Sequence, residues 1–174
     1  MNAVRKLTLT GVLTALALAL GLLERALPLT AWIPLPGVKL GLSNIVTLFA
    51  LCVLGTPYAA AILLLRAVLG SVFSGSITSL WYSLAGGALA LGAMALGVRS
   101  KRLSVYGVSV LGAAAHSVGQ IAAAAAVVGS VSVLSYLPLL LVVSTATGAL
   151  VGAAAAGVLG GWNALPKSLT GGVG

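Results

Sequence analysis

The chain contains no aspartate, and Glu24 is the only acidic residue among its 174. Reactions that need two carboxylates, one as acid and one as base or nucleophile, are closed to it. It has one histidine, His116, and one cysteine, Cys52. These are too few ligands for a multidentate metal site built from protein alone, and no disulfide can form within the chain. No cofactor is expected. Cys52, alone in an apolar stretch, reads as a small core residue. Charged residues make up 6% of the sequence, far below the ~25% usual in soluble domains. The net charge is +8, but the basic residues are scattered. Nucleic-acid binding needs a solvated basic face, so no nucleic-acid partner is expected.

What the chain does have is apolar length. Hydrophobic residues are 60% of the sequence and the mean hydropathy is +1.21. Apolar runs of about 20 residues recur throughout, the mark of an all-α, polytopic membrane protein. The expectation is one integral membrane domain over 1–174, with six transmembrane helices near 7–27, 39–54, 57–73, 78–98, 103–128 and 136–160. The first run resembles a signal segment, but Glu24-Arg25 and Pro28 follow it instead of a small-residue cleavage site, so it reads as a retained helix. The second and third spans are short and joined by a tight turn at Gly55-Thr56-Pro57. Short helices of this kind often stop near a cavity.

Six spans place Arg5, Lys6, Arg99, Lys101, Arg102 and Lys167 on one side, with Arg25 and Lys39 on the other. Basic residues favour the cytoplasmic side, so both termini are expected there. The aromatics agree: Trp32, Trp81, Tyr82 and Tyr136 fall at outer ends, and Tyr58, Tyr106 and Trp162 at inner ends. Small residues at four-residue spacing form ridges, Gly11, Ala15 and Ala19 on the first helix and Gly148, Gly152, Ala156 and Gly160 on the sixth. Such ridges serve close packing within the bundle or, for the first helix, docking of another membrane subunit. Ala122 to Ala126 reads as internal packing.

The polar residues are unevenly placed. Glu24, Arg25, Lys39, Ser43, Asn44, Arg66, His116 and Gln120 all fall in the outer halves of the spans or at their outer ends. An ionisable group within a span costs about 2.5–3.5 kcal/mol at a helix centre, so it usually faces a cavity or a partner. Convergence at one depth implies a cavity open to the outside. With Glu24 as the only countercharge, this cavity should be cationic and suit an anion. Arg66 would clamp an oxyanion and Lys39 would supply a point charge. Asn44, His116 and Gln120 would orient the ligand. Three structural alternatives stand beside this: Arg66 paired with Glu24, His116 and Gln120 bonded between helices, and Lys39 reaching lipid headgroups.

Pro36-Gly37-Val38-Lys39-Leu40-Gly41-Leu42-Ser43-Asn44 and His116-Ser117-Val118-Gly119-Gln120 carry a family resemblance. In the same order come Leu22-Leu23-Glu24-Arg25, Arg66 with Leu69-Gly70-Ser71, Ser83-Leu84-Ala85-Gly86-Gly87 and Tyr136-Leu137-Pro138. Over about 7–160 the chain resembles the heptaprenyl diphosphate synthase component I family, also called the Gx transporter family. The family pattern has Asn where this chain has Ser117. All-trans prenyl diphosphate synthases hold Mg²⁺ with Asp-rich motifs, which this chain lacks, so it is not expected to be an enzyme.

The family is in turn similar to the substrate-binding S components of energy-coupling-factor transporters. That resemblance implies uptake of a small anionic or amphipathic molecule across a bacterial plasma membrane. It also implies a transmembrane coupling subunit docked on Gly11, Ala15 and Ala19, and partner ATPases, because the chain has no phosphate-binding loop of its own. On this reading Lys39, Ser43, Asn44, Arg66, His116 and Gln120 bind substrate, with Glu24 and Arg25 as gate or countercharge. The competing expectation is a non-catalytic membrane partner of isoprenoid or quinone synthesis that binds a prenyl diphosphate.

Overall fold

The computed structural model describes residues 1–26 and 41–164. Lys39, Trp32 and Lys167 lie outside the described residues, as does the side chain of Arg25. Among the described residues six α-helices run in order: α1 Ala3–Ala26, α2 Leu42–Val53, α3 Thr56–Ser74, α4 Ile77–Ser100, α5 Val105–Val128 and α6 Leu137–Ala164. A 3₁₀ segment, Val131–Tyr136, leads into α6. The expected helix order is the one found. Five of these segments are long and apolar enough to cross a membrane.

The exception is α2. Its 12 residues span ~18 Å, against a hydrocarbon core of ~30 Å. It is mostly apolar beyond its first turn and buried almost all round, with Val46 through Leu51 buried without a break, as expected of a helix at the centre of a bundle. It packs on α1, α3, α4 and α6, and Leu48, Thr47 and Ile62 of α3 are the largest fully buried side chains. α5 packs on α4 and α6 instead, and the long helices show apolar side chains on their outer faces, among them Val12, Leu64, Phe73, Leu96, Val142 and Leu150.

Turn chemistry sets the reversals. Gly55 (φ +92°) and Pro57 start α3, and Gly75 (φ +61°) ends it. Ser76 and Ser104 cap α4 and α5, their hydroxyls accepting from Ser79 N–H at 3.2 Å and Gly107 N–H at 3.3 Å. The helices alternate in direction. Lys6 of α1 lies 5.6 Å from the Tyr58 ring at the start of α3, and Phe49 of α2 meets Trp162 of α6 edge-on at 5.5 Å. Arg99, Lys101 and Arg102 share this end of the bundle, and all three are exposed. Trp81 and Tyr136 are exposed near the opposite end.

Glycines let α4, α5 and α6 approach closely. A Cβ on Gly148 would lie 2.9 Å from Val110 Cα, and one on Gly152 would lie 3.0 Å from Tyr106 Cα. The ridge on α6 is thus internal packing at these two positions. On α1 the reverse holds: Leu13, Thr14 and Ala17 are buried, while Gly11, Ala15 and Ala19 are exposed.

A Cβ on Gly119 would stand 2.6 Å from the Ala85 carbonyl oxygen and 2.8 Å from Gly86 Cα, both backbone atoms that cannot rotate away. Gly119→Ala should therefore cost about 1–3 kcal/mol of stability. Gly92, whose added Cβ meets nothing within 4 Å, should accept alanine without loss. Thermal unfolding of both variants in detergent checks the contrast.

Candidate functional site

The site is built around the first turn of α2. Gly41 precedes it in the left-handed conformation (φ +76°), where a side chain would strain the backbone. The helix start has no side-chain cap of its own. Instead the Gly41 N–H donates to Glu24 Oε1 of α1 at 2.6 Å. This places a negative carboxylate at the positive end of the α2 dipole. Glu24 is only 5% exposed.

Arg66 approaches the same turn from α3. Its Nη1 donates to Ser43 Oγ at 2.8 Å, and its Nη2 makes a longer 3.4 Å bond to Asn44 Oδ1. Nε–H is buried and has no hydrogen-bond partner among the described residues. A guanidinium carries five N–H donors, so these two bonds do not exhaust it. Glu24 is within electrostatic reach of Arg66. One acid and one base from different helices thus hold the start of α2.

Beside this turn lies a cavity with about 780 Å³ of space between atoms, part of it open to solvent. Every long helix contributes: Glu24 from α1, Arg66 from α3, Ser83 from α4, His116 and Gln120 from α5, Ser144 and Thr147 from α6. Gly41, Ser43 and Asn44 complete its polar wall, and Met94, Leu140, Val143 and Val151 supply apolar surface. Gly86 of α4 makes room for the α5 residues, since a Cβ there would lie 2.7 Å from Gln120 Cγ and 3.0 Å from His116 Cε1. The α6 hydroxyls bond to their own helix, Ser144 to the Leu141 carbonyl at 3.1 Å and Thr147 to the Ser144 carbonyl at 3.3 Å. Their lone pairs remain available as acceptors.

The fold brings Glu24, Ser43, Asn44, Arg66, His116 and Gln120 to one cavity. Lys39 and the Arg25 side chain, expected beside them, are outside the described residues. The described lining holds Arg66 as a permanent cation and Glu24 as its one acid, with His116 beside them. Sequence reasoning missed Ser83, Ser109, Ser117, Ser144 and Thr147, which also line the cavity. Ser109, Ser117 and Ser144 are buried hydroxyls in apolar helices. Their one signal was spacing: Ser109 and Ser117 with His116 and Gln120 on α5, and Ser144 and Thr147 with Gly148 on α6. No three His, Cys, Asp or Glu side chains come together among the described residues.

The profile of the heptaprenyl diphosphate synthase component I family matches residues 13–158, most of the chain. The chain belongs to this family. No curated protein and no solved structure matches it.

Glu24→Ala removes the acceptor of the Gly41 N–H and the negative charge near Arg66. It should cost about 2–3 kcal/mol, and Glu24→Gln, which keeps an acceptor, clearly less. Adding Arg66→Ala to Glu24→Ala should cost less than the sum of the single changes by ~1 kcal/mol or more, because the two side chains hold one turn. Thermal unfolding of the four proteins gives the coupling, and additive losses would mean the two groups act independently.

Proposed function

We infer that this membrane protein is a substrate-capture subunit of an energy-coupling-factor-type uptake transporter. It binds a small anionic or amphipathic molecule and does not convert it. The observation that carries this reading is Arg66. A guanidinium in the middle of a membrane bundle is expensive, yet this one has a buried Nε–H with no hydrogen-bond partner among the described residues, beside a cavity lined with hydroxyl, amide and imidazole groups. A ligand oxyanion accepting from it would meet both its charge and its donor geometry.

Direction of access follows from charge. Exposed Arg99, Lys101 and Arg102 mark the far end of the bundle, which the positive-inside preference assigns to the cytoplasm. The cavity then opens outward, in a bacterial plasma membrane. The exposed Gly11, Ala15 and Ala19 of α1 face away from the bundle, as a close-packing contact with a transmembrane coupling subunit requires. Hydrolysis of ATP would come from partner ATPases, since the sequence offers no phosphate-binding loop.

The family description, which names a synthase component, favours a second reading: a non-catalytic partner of prenyl diphosphate synthesis. The same arginine would then hold a diphosphate. Purification from native membranes in mild detergent separates the two readings. ATPases and a coupling subunit should co-purify, whereas recovery of a soluble prenyl synthase would support the second.

Native mass spectrometry of the purified protein should reveal a bound small molecule. Arg66→Ala should lower its retention roughly 10–100-fold, the equivalent of one or two charge-assisted hydrogen bonds. Unchanged retention would remove Arg66 from the site. Ala15→Leu with Ala19→Leu should abolish recovery of the partner subunits and leave the small molecule bound.

A further inference from the structure

The cavity beside α2 sets a limit on size. The part of it that admits a water-sized molecule is about 60 Å³. One water takes about 10–15 Å³ of such space, so the cavity holds roughly four to six non-hydrogen atoms. A phosphoryl group would by itself fill nearly all of that volume. Arg66 is the one permanent cation among the described lining residues. It suits a single negative charge better than the several of a diphosphate, whose excess would be buried without a partner. Size and charge together favour a carboxylate.

The walls also differ in hydrogen-bond sense. Arg66 of α3 can only donate. On α6 the hydroxyl hydrogens are already committed to the helix itself, Ser144 to the Leu141 carbonyl at 3.1 Å and Thr147 to the Ser144 carbonyl at 3.3 Å. Their oxygens therefore meet a ligand as acceptors. α3 and α6 both pack on α2 and present these groups to one space. A ligand that matches both walls carries an oxyanion for the first and an O–H or N–H for the second. Glu24, the one acid of the described lining, is engaged at the α2 turn by the Gly41 N–H. An ammonium beside α6 would thus be buried away from countercharge, whereas a neutral hydroxyl carries no such cost.

We propose that the captured ligand is a short hydroxy acid, its carboxylate held by Arg66 and its hydroxyl donating to Ser144 or Thr147. The proposal rests on the capture reading above and narrows it to a substrate class. Ser144 and Thr147, which contribute no charge, become the residues that select for the hydroxyl. A methyl in its place would desolvate their oxygens without offering a donor. A ligand so changed should bind at least tenfold more weakly.

The probes are 3-hydroxypropionate, butyrate and 6-hydroxyhexanoate, titrated into the full chain in nanodiscs. Butyrate replaces the hydroxyl by a methyl at almost the same shape, and 6-hydroxyhexanoate keeps both end groups but exceeds the volume. Wild type should bind 3-hydroxypropionate at least tenfold more tightly than either. Ser144→Ala combined with Thr147→Val should bring the ratio of 3-hydroxypropionate to butyrate affinity close to one. Arg66→Ala should weaken both short acids at least tenfold. Equal binding of the two by wild type, or an unchanged ratio in the combined variant, would overturn selection for the hydroxyl. Binding of 6-hydroxyhexanoate as tight as that of 3-hydroxypropionate would overturn the size limit. If wild type binds none of the three yet retains a small molecule in native mass spectrometry, the hydroxy-acid class is wrong and the capture reading stands. With no molecule retained either, both fall.

Discussion

The start of α2 is held by two side chains from other helices, and the rest of the site depends on that hold. Glu24 accepts from the Gly41 N–H at 2.6 Å, and Arg66 donates to Ser43 and Asn44. α2 is too short to cross the hydrocarbon core, so lipid alone cannot fix its depth. Its end is set instead by a carboxylate at the dipole and a guanidinium across the first turn. Polar groups from the other helices face the cavity beside that turn. The residues that position the shortest helix are thus also part of the cavity wall.

Close packing supplies the other constraint. Gly86 and Gly119 bring α4 against α5, and Gly148 and Gly152 bring α6 against α5. Without a hydrophobic drive between helices in lipid, such contacts rest on backbone proximity and dispersion. They leave no room for side chains where the helices touch. His116 and Gln120 are admitted only because Gly86 has none. The exposed small residues of α1 have no such internal contact at Gly11, which distinguishes that ridge from the one on α6.

Much of this was legible in the sequence. Helix order and most boundaries followed from apolar runs and their turn residues. Counting acids isolated Glu24, and depth along the spans gathered Ser43, Asn44, Arg66, His116 and Gln120 before any geometry was known. The partner of Arg66 was not legible. Glu24 lies within its electrostatic reach, yet the guanidinium donates to Ser43 and Asn44, a pairing that depends on the rotation of α3. Periodicity could not supply that rotation, because lipid-facing and core-facing sides of α3 are both apolar. Ser144 and Thr147 were missed for a related reason. A hydroxyl that bonds back to its own helix is common background in membrane spans, and only the fold reveals which of them line a cavity.

The central claim is that a solvated cavity opens away from the cytoplasm beside Arg66. Labelling by a membrane-impermeant maleimide in intact cells tests it directly, using Thr147→Cys and, separately, Ser100→Cys, each in a Cys52→Ser background. Thr147 lines the cavity, and Ser100 ends α4 at the basic end of the bundle. The account predicts that the Thr147→Cys protein is labelled from outside and the Ser100→Cys protein only after the cells are opened. Labelling of the Ser100→Cys protein alone in intact cells would reverse the orientation, and a Thr147→Cys protein inert under both conditions would contradict the open cavity.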